Sequence, residues 1–224
     1  VVAGNVQTDE IKQLAEKWFG NIEKRDVPFR NLPVEPEQKE IRTLELKRKV
    51  PYDAIYMTFH MSGRNEADYF PTDLLSDILS NGDSSRLYQK LIKDQNLFSS
   101  LDAYILGTND PGLFVVSGKL IEGTDMKYAE NAILQELELI KTELVSDYEL
   151  QKVKNKFEAG VIFSEINILN KAMNLAFYEN LGDADRINTE LDKYKNVTKE
   201  DIRSVANKIL CKNNCSVLYY YAEK

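Results

Sequence analysis

The stretch Leu79–Gly107 constrains the fold most, because its apolar spacing changes from helical to strand-like. Asn81–Asp83 predicts a turn in which glycine supplies a positive φ, and Ser84 or Ser85 is a candidate helix N-cap. The apolar residues that follow share one helical face: Leu87, Tyr88, Leu91 and Ile92. A later set repeats with the period of a half-buried strand: Leu97, Leu101, Ala103 and Ile105. The stretch therefore predicts a helix that docks on a sheet, and it offers no reactive group.

Two strands and one helix are predicted before this stretch. Residues 40–50 and 53–61 have strand-like composition on either side of Pro51. The next helix is predicted to begin at Asp68, with Pro71 tolerated in its first turn. Its inner face consists of four aliphatic residues, Leu74, Leu75, Ile78 and Leu79.

A hairpin, several helices and a closing strand are predicted after it. Strands at 97–106 and 113–120 are expected to pair in antiparallel fashion through a turn rich in Asn, Asp, Pro and Gly. Thr124 is the predicted cap of the next helix, and two capping boxes begin at Ser146 and Thr198. The helix after Ser146 is expected to exceed about 25 residues unless an interruption occurs at one of two positions, Gly160 or Asn170.

The order of these elements indicates an α+β fold. Strands come first, then helices, a hairpin, further helices and a last strand at 216–222. Such an order favours a two-layer sandwich, with a mostly antiparallel sheet and helices packed on one face.

Three segments are predicted along the chain. Residues 1–24 read as a strand plus a helix closed by Gly20 as a left-handed cap, and this pair cannot bury its apolar faces alone. We therefore expect 1–24 to be the tail of a preceding domain. Residues 25–39 are polar and contain several prolines, which predicts an extended linker. Residues 40–224 form the main predicted domain.

Composition excludes several classes of partner and of site. The net charge of -7 provides no basic surplus for a nucleic acid. No apolar run reaches the roughly 18 residues that a membrane span requires. His60 is the single histidine, and Cys211 and Cys215 lack the further ligands that a zinc site needs. The two thiols are expected to be unpaired, with a disulfide as the alternative in an oxidising compartment.

No catalytic, cofactor-binding or metal-binding residue can be assigned from side-chain chemistry alone. The chain contains no phosphate-binding glycine loop and no nucleophile elbow. Its carboxylates lie mostly on predicted helix faces, where solvated charge explains them.

Four segments, in this order and spacing, resemble one known family. They are VVAGNV with LAEKWFG, DLLSDILSNGDSSRLYQKLIKDQNLFSSLDAY, NDPGLFVVSGKL, and VTKEDIRSVANKIL. The chain is similar to the non-catalytic, C-terminal-type domain of the pitrilysin-like (inverzincin) zinc metallopeptidases. The resemblance implies two α+β domains in each half-molecule, and two halves that close like a clam shell around a chamber.

The resemblance also implies where the chemistry lies. The zinc motif of the family, H-x-x-E-H, belongs to the first domain of the catalytic half and has no match here. Zinc is therefore expected in a catalytic domain of the parent or partner and not in this chain. The family's substrate-polarising Arg and Tyr correspond to Ile92 and Ser99 in this sequence. Lys93 is adjacent to the Arg position but points in another direction on a helix, so the role does not transfer to it.

The function expected from the resemblance is a non-catalytic domain that forms part of the chamber wall and contacts a zinc-bearing domain or subunit. Peptide substrates would occupy the assembled chamber, and the chain alone would be inactive. One alternative is a degenerate scaffold or partner subunit without a peptidase role, as core subunits of the respiratory cytochrome bc complex show for this fold. Another is a peptide-binding module that uses a sheet edge. The sequence leaves the compartment open between bacterial periplasm and cytoplasm.

Overall fold

The computed structural model describes most of the chain, namely residues 1–26, 33 and 35–223. The predicted linker at 25–39 therefore falls partly on residues outside the described ranges, 27–32 and 34. Contacts between residues divide the chain into two units. The first unit comprises Val1–Glu37 and Val161–Ile187, and the second comprises Gln38–Gly160 and Asn188–Lys224. The domain boundaries at residues 24 and 39 remain predictions.

The second unit contains a five-stranded sheet. Its strands are β1 (Arg42–Arg48), β2 (Ala54–Met61), β3 (Phe98–Leu106), β4 (Gly112–Leu120) and β5 (Cys215–Ala222). The spatial order is β1-β5-β2-β4-β3, so the last strand of the chain lies between the first two. Only the β1–β5 pair is parallel among these strands, and β3 pairs with β4 in antiparallel fashion. The mostly antiparallel sheet and the predicted β3–β4 hairpin are thus confirmed.

The described residues form seven α-helices. These are α1 (Thr8–Phe19), α2 (Tyr69–Ser80), α3 (Met126–Thr142), α4 (Asp147–Glu165), α5 (Ile168–Asn180), α6 (Arg186–Lys195) and α7 (Lys199–Ile209). A π-helix spans Tyr88–Asp94, and a short 3₁₀ turn spans Lys212–Asn214. α2, α3 and α7 pack on one face of the sheet, where their apolar residues join the inner face of β2 in a single core. The α+β fold class is confirmed.

Local capping explains where two of the helices begin. Ser146 and Glu149 exchange hydrogen bonds at the start of α4, as do Thr198 and Asp201 at the start of α7. Both predicted capping boxes are therefore present. The predicted cap at Thr124 is wrong by one residue, because the side chain that accepts the helix N–H belongs to Asp125.

The long helix predicted after Ser146 is in fact two helices. α4 ends at Glu165, and α5 begins after Asn167, whose side-chain oxygen accepts the N–H of Leu169 at 2.9 Å. A side chain that can accept such a bond favours a new helix start over continuation. The break thus occurs at neither Gly160 nor Asn170. α6 follows and had no counterpart in the predictions.

Three other predicted caps do not act as expected. Gly20 has a right-handed φ of -61° rather than the left-handed value, and its lack of a side chain matters because a Cβ would lie 2.5 Å from the Glu16 carbonyl. Asp68 precedes α2 but pairs through its carboxylate with Lys208. The hydroxyl of Ser84 accepts from a lysine of α4 instead of capping a helix, and Ser85 is buried.

The first unit differs from the second in that none of its described residues is buried. It contains α1, the end of α4, α5 and the first residues of α6. Both α1 and α5 lack any buried side chain. Large apolar residues are nevertheless exposed there: Leu14, Trp18, Phe19, Ile22, Ile162, Phe163, Ile166, Ile168, Leu169, Met173 and Phe177.

Candidate functional site

The two positions that match the family's Arg and Tyr lie at the junction of the π-helix and β3. Ile92 is half-buried and packs against the core. Ser99 is exposed on β3, and its hydroxyl donates to the carbonyl of Lys119 at 3.2 Å. Neither side chain can place a positive charge or a phenolic donor on a developing oxyanion. Lys93 remains on the helix surface, where its ammonium donates to the side chain of Gln89.

The π-helix is the unusual backbone feature of this junction. Gln95 donates its N–H to the carbonyl of Lys90 across five residues, and Asn96 then adopts a left-handed φ of 52°. Such wide turns often occur at functional sites. Here Leu87 and Leu91 of the same segment are fully buried, so the turn fixes the entry into β3. The backbone of this region is therefore specialised, and the absence of a catalytic role for its side chains remains a prediction.

The candidate metal ligands do not form a zinc site. His60 lies on β2, where its main-chain carbonyl accepts from Asn214, and the described residues contain no cluster of three or more His, Cys, Asp or Glu suited to a metal. Cys211 and Cys215 are free thiols. Burial raises the pKa of the Cys215 thiol to about 12, so the thiolate that a metal requires is disfavoured. The described residues therefore do not fit the zinc of the resembled family.

A buried polar cluster that the sequence did not predict joins α2 to α6. Arg64 forms an ion pair with Glu190, which is almost fully buried, and donates to the Tyr194 hydroxyl at 3.4 Å. Tyr194 in turn donates to the carboxylate of Asp73 at 2.6 Å. The Arg64 guanidinium also lies 4.4 Å from the ring centroid of Tyr69.

The electrostatics of this cluster indicate a structural role. Burial raises the pKa of Asp73, and the hydrogen bond from Tyr194 offsets part of that rise. Burial also raises the pKa of Tyr194, together with the adjacent Asp73 charge. Phe157 stacks on the Tyr194 ring at 3.6 Å between centroids, and Phe70 meets it edge-on. A phenol enclosed in this way and committed to a carboxylate is not free to polarise a substrate carbonyl.

The turn at Asn81–Asp83 and the residues that follow it are hydrogen-bonded to the start of α4. Arg86 binds Glu149 through two hydrogen bonds of 2.6 and 3.1 Å. The Arg86 hydrogen bond, against a smaller effect of burial, lowers the pKa of Glu149 to about 2. Lys152 donates to the carbonyl and the hydroxyl of Ser84, and Lys156 donates to Asn81. These hydrogen bonds therefore clamp the segment at 81–86 to α4 within the second unit.

Comparison with known proteins places these features in context. The model of the peptidase M16 inactive domain matches residues 1–157. An uncharacterized zinc protease of Bacillus subtilis strain 168, YmxG, is 26% identical over 165 residues, which cover 73% of this chain and 39% of the relative. Among the described residues, no helix combines the length and the hydropathy that crossing a membrane requires.

Two solved structures share the fold. A protease from Helicobacter pylori superposes with a TM-score of 0.89 at 20% identity, covering 98% of this chain and 53% of that protein. An inactive peptidase domain from Bordetella parapertussis gives a TM-score of 0.72 at 21% identity, covering 80% of this chain and 97% of that domain. The chain thus spans about half of the H. pylori protease and less of the B. subtilis relative. With the match covering most of its length, this chain belongs to the peptidase M16 inactive domain family.

Proposed function

We propose that this chain serves a pitrilysin-like zinc metallopeptidase as a wall of the substrate chamber and as the contact surface for a zinc-bearing domain or subunit. The observation that carries the proposal is the first unit, which is rich in apolar residues and buries none of those described. Monomeric proteins rarely expose large contiguous apolar surface, and such surfaces mark interaction sites.

The end of α4 and the whole of α5 form the more apolar part of this surface. Phe163 is 70% exposed and Ile166 is 77% exposed. Between residues 161 and 181 the sequence contains few charges, namely Glu165, Lys171 and Glu179. A solvated helix pair normally carries a charged outer face, so this composition favours a protein partner.

The helix α1 presents a second part of the same unit. Trp18 is 67% exposed, and Phe19 and Ile22 are exposed to a similar degree. Aromatic residues of this kind are typical of the centres of protein interfaces. The basic charge that would favour an anionic lipid surface is scarce, since the chain has a net charge of -7. The charge and composition together favour a partner domain.

We assign the chemistry to the partner because the described residues do not supply the groups that it requires. A catalytic zinc needs three protein ligands and an open position for water. Among the described residues, His60, Cys211 and Cys215 belong to no cluster that could bind zinc. We therefore place zinc in the partner and peptide substrates in the chamber that the two parts enclose.

The test is a peptidase assay on two proteins. The purified chain is incubated with a quenched unstructured peptide and excess zinc, and the longer natural protein is assayed in parallel. We expect no turnover by the chain and chelator-sensitive turnover by the longer protein. Chelator-sensitive turnover by the chain alone would overturn the proposal. Silence of both proteins would also contradict it and would favour the scaffold alternative.

A further inference from the structure

The two edge strands of the sheet are protected to different degrees. β3 carries an irregularity in its pairing between Phe98 and Ser100, and α2 packs closely against it. β1 pairs with β5 in unbroken register from Arg42 to Arg48. Six of its seven residues are exposed and the other is half-buried. A long, regular and exposed edge is a template for pairing with another chain.

The direction of the β1 backbone identifies the groups that an added strand would meet. The carbonyl of Arg48 accepts from the N–H of Glu223, just past β5, at 2.8 Å. Because the N–H and C=O of one strand residue point to the same side and alternate along the strand, Thr43, Glu45 and Lys47 direct theirs away from β5. In agreement, the outward carbonyl of Lys47 accepts from the exposed guanidinium of Arg48 at 2.8 Å.

The side chains of β1 form a defined row on the face of the sheet opposite the core. Arg42, Leu44, Leu46 and Arg48 align with Ser216, Leu218, Tyr220 and Ala222 of β5, whereas the neighbouring Val217 and Tyr219 are buried in the core. Leu44 is 56% exposed. The pattern across β1 is therefore a cation, two apolar residues and a second cation.

Charge argues against a second copy of this chain as the occupant. Antiparallel pairing of two β1 strands centred on Glu45 would place Arg42 of each copy opposite Arg48 of the other. It would also place the two Glu45 side chains opposite each other. Like charges directly opposite each other destabilise a sheet. A strand with acidic residues at its ends would instead pair each arginine with a carboxylate.

We propose that the outer edge of β1 binds an extended polypeptide segment by strand addition. The segment has acidic and apolar residues at alternate positions, in the order acidic, apolar, apolar, acidic. Main-chain hydrogen bonds to Thr43, Glu45 and Lys47 supply affinity, and the alternate side chains supply selectivity. This inference is independent of the proposed function, because no residue of the first unit takes part.

The first experiment uses fluorescein-labelled heptapeptides and the whole chain. The probe is DTVTITD, and the controls are KTVTITK and DTVPITD, whose proline removes the central N–H. We expect DTVTITD to bind at least about tenfold more tightly than either control, since each lost charge or backbone pair weakens the added strand. Hydrogen exchange should slow at the amides of Thr43, Glu45 and Lys47. Equal binding of the three peptides, or slowed exchange elsewhere only, would overturn the proposal.

The second experiment reverses the selectivity. The double variant Arg42→Glu with Arg48→Glu should prefer KTVTITK over DTVTITD. The matched variant Lys93→Glu with Lys212→Glu changes the net charge equally at exposed lysines outside the sheet and should retain the original preference. If both variants shift preference alike, the effect is one of net charge and the proposal fails. If the β1 variant does not fold, the exchange measurement on the unaltered chain still decides.

Discussion

The two units of this chain differ in how they use apolar residues. In the second unit, helices α2, α3 and α7 and the sheet share a single buried core. In the first unit, side chains of the same types remain exposed, including Trp18 and Phe163. The second unit therefore has the core of an independent fold, whereas the first leaves its apolar residues unburied. On the proposed function, the apolar residues of the second unit stabilise its own fold, and those of the first unit are the ones that a partner domain covers.

Matched leucine truncations should show the largest difference between the units. Leu75→Ala removes a fully buried side chain of α2 and should cost about 2–5 kcal/mol of unfolding free energy through lost burial and a cavity. Leu169→Ala in α5 removes an exposed side chain and should cost about 0.5 kcal/mol or less. Urea denaturation of both variants measures this. Similar losses would show that the first unit has a core of its own.

The buried polar cluster provides the next test within the second unit. Tyr194→Phe removes the hydroxyl that donates to Asp73 and leaves that half-buried carboxylate without this donor. We expect a loss of about 1–3 kcal/mol of unfolding free energy. The pKa of Asp73 should rise further, because the lost hydrogen bond lowers that pKa together with the Arg64 charge. Tyr148→Phe, at an exposed position, is the control, and equal stability of the two variants would contradict a structural role for the cluster.

The clamp between Arg86 and Glu149 predicts a dependence of stability on pH. The folded-state pKa of Glu149 is lowered to about 2, so its contribution is present above the ordinary value of 4.5 and is lost as pH falls towards 2. After allowance for solvent screening, Glu149→Gln should cost about 1–2 kcal/mol at neutral pH. The cost should shrink between pH 4.5 and 2. Glu138→Gln, which removes one charge from an exposed carboxylate of α3, is the matched control, and an equal cost of the two variants at neutral pH would contradict the clamp.

Deletion of residues 1–24 should have the smallest effect. These residues bury no side chain, so their removal should change the thermal midpoint of the chain by less than about 3 °C. Differential scanning calorimetry of the two chains provides the comparison. A fall of more than about 8 °C would show that the segment belongs to the core.

Features set by neighbouring residues could be predicted from the sequence. The capping boxes at Ser146 and Thr198 and the β3–β4 hairpin follow from local patterns, and all three are present. The π-helix was missed because the spacing of Leu87 and Leu91 suits an α-helix equally well. The break between α4 and α5 was missed because it depends on one side-chain hydrogen bond, from the Leu169 N–H to Asn167.

Features that join distant residues could not be predicted in this way. Arg64 and Glu190 are 126 residues apart, and nothing local to either marks the ion pair. The insertion of β5 between β1 and β2 is likewise a pairing of distant segments. At the candidate site, the sequence identified Ile92 and Ser99 as the family positions, and the absence of a catalytic role at these positions remains a prediction.

Oxidative footprinting measures whether a partner covers the exposed apolar residues of the first unit. Hydroxyl-radical labelling rates of Trp18, Phe163 and Met173 are measured by mass spectrometry in the isolated chain and in the longer natural protein. Met57, which is fully buried in the core, serves as the control that stays protected in both. We expect rapid labelling of all three residues in the isolated chain and severalfold slower labelling in the longer protein. Equal labelling of the three residues in both proteins would contradict it.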